Sequence, residues 1–400
     1  MADIGAPYRE RLRPLVSGGG VEAARAAWAA ERCGAVGPWR RMYGRLRPGR
    51  SPWAVLVYQA ADAGPTVQVG VFGSSDSPAE GRRSGTPPRD ADGRIDITRC
   101  EDDPALPGLR AVLAGLDDAT VVRYRPGHRC TVRGRTRSGA RYVKVLAEHA
   151  DDQRETRLRW DAAGSGALSF TVAEPHGWDE RTLASWYGVV PGRPVLPALL
   201  GPGGRRLAER IGRSLGELAV SPLRPERTST PEDQLMRTQR ALVRAAAAAP
   251  ALSDSLARAG DALADAHQRL PERPLVPVHG AAHLGQWLVD DDARLGLVDF
   301  DRWSRGDPEF DLALLLVDLG SHVSTTSTEK LEEAVLVGFR AVAGEPDPRR
   351  LLLYAVHRRV AGVARTACAV RPDAADRAAL RLEKLNAALA ALAAGAATEH

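Results

Sequence analysis

Two histidines, His279 and His283, stand four residues apart, the spacing that would turn both rings to one face of a helix and build half of a zinc-protease site. Position 280 is glycine where that chemistry needs a glutamate, and glycine disfavours the helix itself, so the zinc reading fails. Gly18, Gly19 and Gly20 imitate a dinucleotide loop, but no strand precedes them, and no GxxxxGK[ST] loop occurs in the chain. No Ser-His-Asp set can be assembled from spacing. Two places remain. Lys144 sits in the β-rich run RYVKVL and is one of only three lysines among 55 basic residues. Residues 277–316 collect His279, His283, Gln286, Asp299, Asp301, Asp307 and Asp311, with Asp299 ending the apolar run LGLV. A strand lysine can neutralise an anion, and carboxylate and amide oxygens are hard donors of the kind that suits Mg²⁺.

Taken in order, His279–Gly280, Gln286, Asp299–Phe300–Asp301, Gly306–Asp307–Pro308 and Asp311–Leu312–Ala313 resemble the catalytic core of the aminoglycoside phosphotransferase-like kinases. The run His283–Leu284–Gly285–Gln286 is similar to the maltokinase branch of that superfamily. The resemblance extends from about residue 119 to the C-terminus. It implies an α+β, bilobal protein-kinase-like fold: a small antiparallel β-rich N-lobe over 119–190, a larger helical C-lobe over 191–400, and an N-terminal cap over 1–118. It also implies ATP, Mg²⁺ and a hydroxyl acceptor on a small molecule or peptide. Carried over by motif, Lys144 is the phosphate lysine, with Glu155 or Glu148 as its acidic partner. Asp299 and Gln286 are the metal ligands, and the turn Tyr124–Arg129, with Gly127 and Arg129, covers the nucleotide phosphates. Val189 is the hinge position whose backbone reads adenine. His279 becomes a structural residue with Asp311 as its candidate partner, and His283 lies nearer the acceptor.

One element departs from the pattern. The family's catalytic aspartate, expected directly after His-Gly, is Ala281. That carboxylate orients the acceptor hydroxyl and takes its proton, and a methyl group can do neither. His283 and Asp301 are the candidate substitute bases. Two functions follow: a phosphotransferase that survives on positioning and charge neutralisation, or a degenerate pseudokinase that acts as a nucleotide- or peptide-binding scaffold for a partner protein.

The elements that must position these residues are legible in outline. Trp53–Tyr58 and Thr66–Phe72 read as a hairpin, the polar stretch 74–92 as a loop, and 106–116 as a short helix. The β signal peaks at 119–146 as three antiparallel strands, followed by a helix at 151–163 and short strands at 168–172 and 183–190. Helices are expected at 203–219, 231–249, 251–270, 308–319, 328–343, 348–370 and 373–394. The helix starting at Pro231 has Thr230 as its cap and acids in its first turn.

Composition bounds the rest. The chain has 400 residues, is 44% hydrophobic and 26% charged, and has no apolar run long enough to span a membrane. Its start lacks a secretory signature, and the cytoplasm is the expected location. The four cysteines form no CxxC pair and are expected as free thiols. Residues 1–150 carry 24 basic against 16 acidic side chains, while the remainder carries 31 against 34. No RNA- or DNA-binding motif accompanies the basic excess, so nucleic acid is not an expected partner.

Overall fold

The structure is a computed structural model that describes residues 20–32, 38–47, 53–61, 64–73, 93–147, 168–322, 325–371 and 373–397. After helix α1 (Gly20–Arg32) the chain builds an antiparallel four-stranded meander, β1 (Trp39–Arg47), β2 (Trp53–Ala60), β3 (Thr66–Gly73) and β4 (Gly93–Arg99). The expected hairpin is therefore the centre of a larger cap sheet. The residues flanking it, WRRMYGRLR and GRIDITR, supply the two outer strands. The predicted loop at 74–92 and the predicted helix at 151–163 lie outside the described residues, as do Glu148 and Glu155.

Past the short helix α2 (Leu109–Ala114), a second antiparallel sheet forms from β5 (Asp117–Arg125), β6 (Arg129–Thr136) and β7 (Gly139–Leu146). β10 (Ala184–Tyr187) and β9 (Pro175–Asp179) extend it in the order β5-β6-β7-β10-β9; β8 is the short strand Thr171–Val172, which belongs elsewhere. The two-residue side-chain period decides what each face of this sheet does. Cys130 and Val132 on β6 and Val143 and Val145 on β7 face a core shared with Leu106, Leu109 and Val112. Lys144 is cross-strand from Thr131, and so shares the opposite face with Thr131 and Arg129.

The C-lobe is helical, with α3 (Leu196–Leu199), α4 (Gly204–Val220), α5 (Pro231–Ala248), α6 (Ser253–Gln268), α7 (Pro308–His322), α8 (Thr325–Ala343), α9 (Pro348–Ala367) and α10 (Ala374–Ala397). α5 opens with a capping box: Thr230 Oγ1 accepts from the Asp233 amide at 3.2 Å, and Asp233 Oδ2 accepts from the Thr230 amide at 3.1 Å. Between α6 and α7 lie four three-residue strands, β12 (Val276–Val278), β13 (Trp287–Val289), β14 (Leu295–Leu297) and β15 (Ser304–Gly306). β11 (Arg193–Pro194) pairs with β13, β13 with β14, β14 with β8, and β12 with β15. Trp287, Leu284 and Ala282 of this region pack into one core with Leu312, Leu315 and Leu319 of α7. No helix among the described residues is long and apolar enough to cross a membrane, and Cys100, Cys130 and Cys368 are buried free thiols.

Candidate active site

The loop 279–286 connects β12 to β13 and is held from below. Asp311, in the first turn of α7, accepts from the Gly280 amide at 3.0 Å and the Ala282 amide at 3.1 Å. Its carboxylate thus clamps the backbone on both sides of Ala281. Gly280 has φ +73, and a Cβ there would fall 2.5 Å from the Arg302 carbonyl oxygen, so only glycine fits. The expected pairing of His279 with Asp311 is corrected, because Asp311 is spent on the loop amides. His279 Nε2 instead bonds the Val298 carbonyl at 3.0 Å, and Nδ1 accepts from the Ala281 amide at 3.2 Å. Those partners require the neutral ring with its proton on Nε2. Complete burial, which depresses the imidazole pKa, keeps it neutral.

Across the cleft, residues far apart in sequence meet. Lys144 Nζ donates to Asp299 Oδ1 and, at 2.8 Å, to Asp301 Oδ1. Arg129 pairs with Asp301 and lies 3.6 Å from Asp299 Oδ2. Gln286 Nε2 donates to Asp299 Oδ2 at 3.1 Å. Burial alone would raise the Asp299 pKa, but the charges of Lys144 and Arg129 outweigh it and hold the carboxyl well below the usual range. Asp299 has φ +71, a left-handed backbone that aspartate tolerates better than most residues. It aims the carboxylate out of the strand end into the cleft. Asp299 and Gln286 carry carboxylate and amide oxygens, the hard donor type that suits a divalent cation such as Mg²⁺.

The remaining candidates fare differently. In the turn between β5 and β6, Gly127 has φ +74, and its amide donates at 2.8 Å to Asp103 Oδ2, which also accepts from the Tyr124 hydroxyl at 2.8 Å. That amide is committed to a buried carboxylate, so phosphate contact by Gly127 is corrected: Arg129 is the turn residue that reaches the cleft. Val189 follows β10 in the segment joining the lobes, with its side chain exposed. His283 caps the short turn Leu284–Gln286 by accepting the Gly285 amide at Nδ1, 3.1 Å away. Its Nε2 lies 3.4 Å from the Gln286 side-chain nitrogen, and burial lowers its pKa. Asp301 is engaged by Lys144 and Arg129.

Sequence reasoning missed what holds the Gly-Asp-Pro segment. Asp307 is fully buried with Arg350, Arg273 at 3.0 Å and the Tyr354 hydroxyl at 2.6 Å, and Glu309 binds Arg273 and the Asp347 amide at 2.9 Å. The motif marked Asp307, but nothing local announces partners on α9.

The comparisons agree with this geometry. Residues 131–354 match the model of the phosphotransferase enzyme family. No curated protein sequence matches the chain. Among solved structures, choline kinase LicA from Streptococcus pneumoniae aligns at 11% identity over 70% of this chain and 96% of that one, with a TM-score of 0.51. Aminoglycoside phosphotransferase APH(3'')-Id from Streptomyces rimosus aligns at 21% identity over 65% of this chain and 98% of that one, with a TM-score of 0.46. The choline kinase comparison thus shows a shared kinase-like fold at low identity. With more than half of its length matched by the family model and the clamped His-Gly loop facing a lysine–aspartate cleft, the chain belongs to the phosphotransferase enzyme family.

Proposed function

We propose that the protein is an ATP- and Mg²⁺-dependent phosphotransferase that acts on a hydroxyl of a small molecule or peptide, working without the usual catalytic carboxylate. The observation that carries this reading is the closure of Lys144 and Arg129 onto Asp299 and Asp301 beside Gln286. When a triphosphate enters, Lys144 and Arg129 exchange carboxylate oxygens for phosphate oxygens. Asp299 and the Gln286 amide oxygen become free to hold the cation. Bound Mg²⁺ supplies further neutralisation of the phosphate charge. The Asp311 clamp fixes the loop at Ala281, where the acceptor hydroxyl must approach, and His279 holds the loop to Val298. Ala281 supplies no carboxylate to take the hydroxyl proton, so transfer rests on positioning and electrostatics.

The test is ADP release by the unmodified chain and by Ala281→Asp, assayed with ATP alone and with candidate sugars, aminoglycosides and peptides. Ala281 is half-buried. We expect slow turnover that Ala281→Asp raises about 10²- to 10⁴-fold, the usual contribution of a positioned base. The second reading, a nucleotide-binding scaffold, is favoured by the engagement of Asp301 and the orientation of His283. It stands if both chains bind ATP and neither turns it over.

A further inference from the structure

The cleft holds a carboxylate beyond the Asp299 and Gln286 pair that the proposed cation would use. Asp301 follows Asp299 by two residues and shares its cations. Lys144 Nζ donates to Asp299 Oδ1 and, at 2.8 Å, to Asp301 Oδ1, while Arg129 pairs with Asp301 and lies 3.6 Å from Asp299 Oδ2. The two aspartates are mounted differently. Asp299 stands beside a second oxygen-bearing side chain, Gln286, at 3.1 Å. Asp301 is the deeper of the two, its side chain 9% exposed against 20% for Asp299. It lies in a turn closed by the Trp303 amide, which donates to the Phe300 carbonyl at 3.0 Å. Both flanking aromatics pack into the C-lobe core, and the Phe300 ring also meets the His279 ring edge-on at 4.4 Å between centroids. Asp301 is thus a fixed negative charge at the floor of the cleft.

That charge bears on which form of a nucleotide can enter. Lys144 and Arg129 are the cations that would meet the phosphate oxygens, and each already faces a carboxylate. A polyphosphate without a metal must take both cations from Asp299 and Asp301 and then lie against two carboxylates in a poorly screened site, where like charges repel strongly. A polyphosphate carrying a divalent cation gives Asp299 a new partner, and Lys144 is released to the phosphates. Asp301 keeps its charge in either case. Discrimination between two related ligands often comes from repulsion of the wrong one rather than from added attraction to the right one.

We propose that Asp301 is a specificity-determining residue of the nucleotide site: its fixed charge beside Lys144 and Arg129 rejects polyphosphates that arrive without a divalent cation, so that the cleft admits Mg²⁺-loaded nucleotide and excludes the free form. This rests on the phosphotransferase reading above and gives Asp301 a charge-selecting role in place of a proton-accepting one.

The experiment is calorimetry of AMP-PNP binding to the full chain, to Asp301→Asn and to Asp301→Glu, each in excess Mg²⁺ and in EDTA. Asparagine keeps the shape and removes the charge, whereas glutamate keeps the charge. Metal-free AMP-PNP is expected to bind Asp301→Asn about 10- to 100-fold more tightly than the unmodified chain, the scale of one hydrogen bond to a charged group. The gain should be smaller in Mg²⁺, so the ratio between the two conditions narrows. Asp301→Glu should keep most of the original ratio. Far-UV circular dichroism checks that each variant is folded, and Asp301→Ser takes the same test if the asparagine variant is not. No gain, an equal gain in both conditions, or a loss in both would overturn the assignment and leave Asp301 as a residue that only positions Lys144 and Arg129. If AMP-PNP does not bind the unmodified chain even in Mg²⁺, the phosphotransferase reading fails. Tripolyphosphate titrated in EDTA then decides the inference by itself: it stands if Asp301→Asn binds more tightly than the unmodified chain and falls if it does not.

Discussion

Asp299 carries the charge balance of the cleft, and its ionisation gives a direct handle on that balance. Its native pKa lies below the ordinary value of 3.8, with burial opposing the shift and Lys144 and Arg129 producing it. A depressed carboxylate pKa contributes stability that is fully present above the unfolded value and is lost as pH falls through the native one. Asp299→Asn should therefore be less stable than the unmodified chain in urea at pH 7, and the gap should close as the pH is lowered through and below 3.8. A gap that stays constant with pH would mean that the pairing with Lys144 and Arg129 contributes nothing. Ala281 is the complementary position: the loop is built around a residue that cannot act, with Asp311 holding the amides on either side.

At the level of elements, the start of α7 is tied to α9 through a buried charge network. Arg350 and Asp307 are both withdrawn from solvent and paired, with Tyr354 and Arg273 completing the hydrogen bonds of Asp307. Removing one partner leaves a buried charge uncompensated, which costs about 3–5 kcal/mol. Arg350→Met should lose stability on that scale in chemical denaturation, and a loss near zero would show that Arg273 alone satisfies Asp307. The longer C-lobe helices were legible from their length and apolar content, α3 was not, and α5 also has its cap written at Thr230–Pro231. β5 to β7 were legible from their alternation. The outer strands of the cap sheet were not: β1 is an arginine-rich edge strand with little buried surface, and in β4 only Ile95 and Ile97 show the period of two. The loop's ligands could be read from motif spacing, whereas Asp103 and Arg350 act over distances that no local pattern records.

Across the whole molecule, the cap sheet is fastened to both lobes. Gln59 Nε2 donates to the Val121 carbonyl at 3.0 Å in the N-lobe, and the Leu46 amide donates to the Cys368 carbonyl at 2.8 Å at the end of α9. Val370 completes the cap's own core. The C-lobe also pairs the buried His357 with the half-buried His267, their Nε2 atoms 2.7 Å apart and Thr238 Oγ1 2.7 Å from His357 Nδ1. Burial, reinforced by His267, brings the His357 pKa down to about 3. Below the ordinary value of 6.5 the unfolded chain binds a proton there that the native chain refuses, so global stability should fall as pH drops from 6.5 towards about 3. His357→Gln should be less stable at pH 8 and show a shallower acid dependence, and an unchanged slope would place the acid sensitivity elsewhere. The central claim is that the cleft of Lys144, Arg129, Asp299 and Gln286 is a nucleotide site. Calorimetry of AMP-PNP binding with and without Mg²⁺, to the unmodified chain and to Asp299→Asn, tests it most directly: the account predicts Mg²⁺-dependent binding that Asp299→Asn weakens or abolishes, and no binding to the unmodified chain at millimolar nucleotide would contradict it.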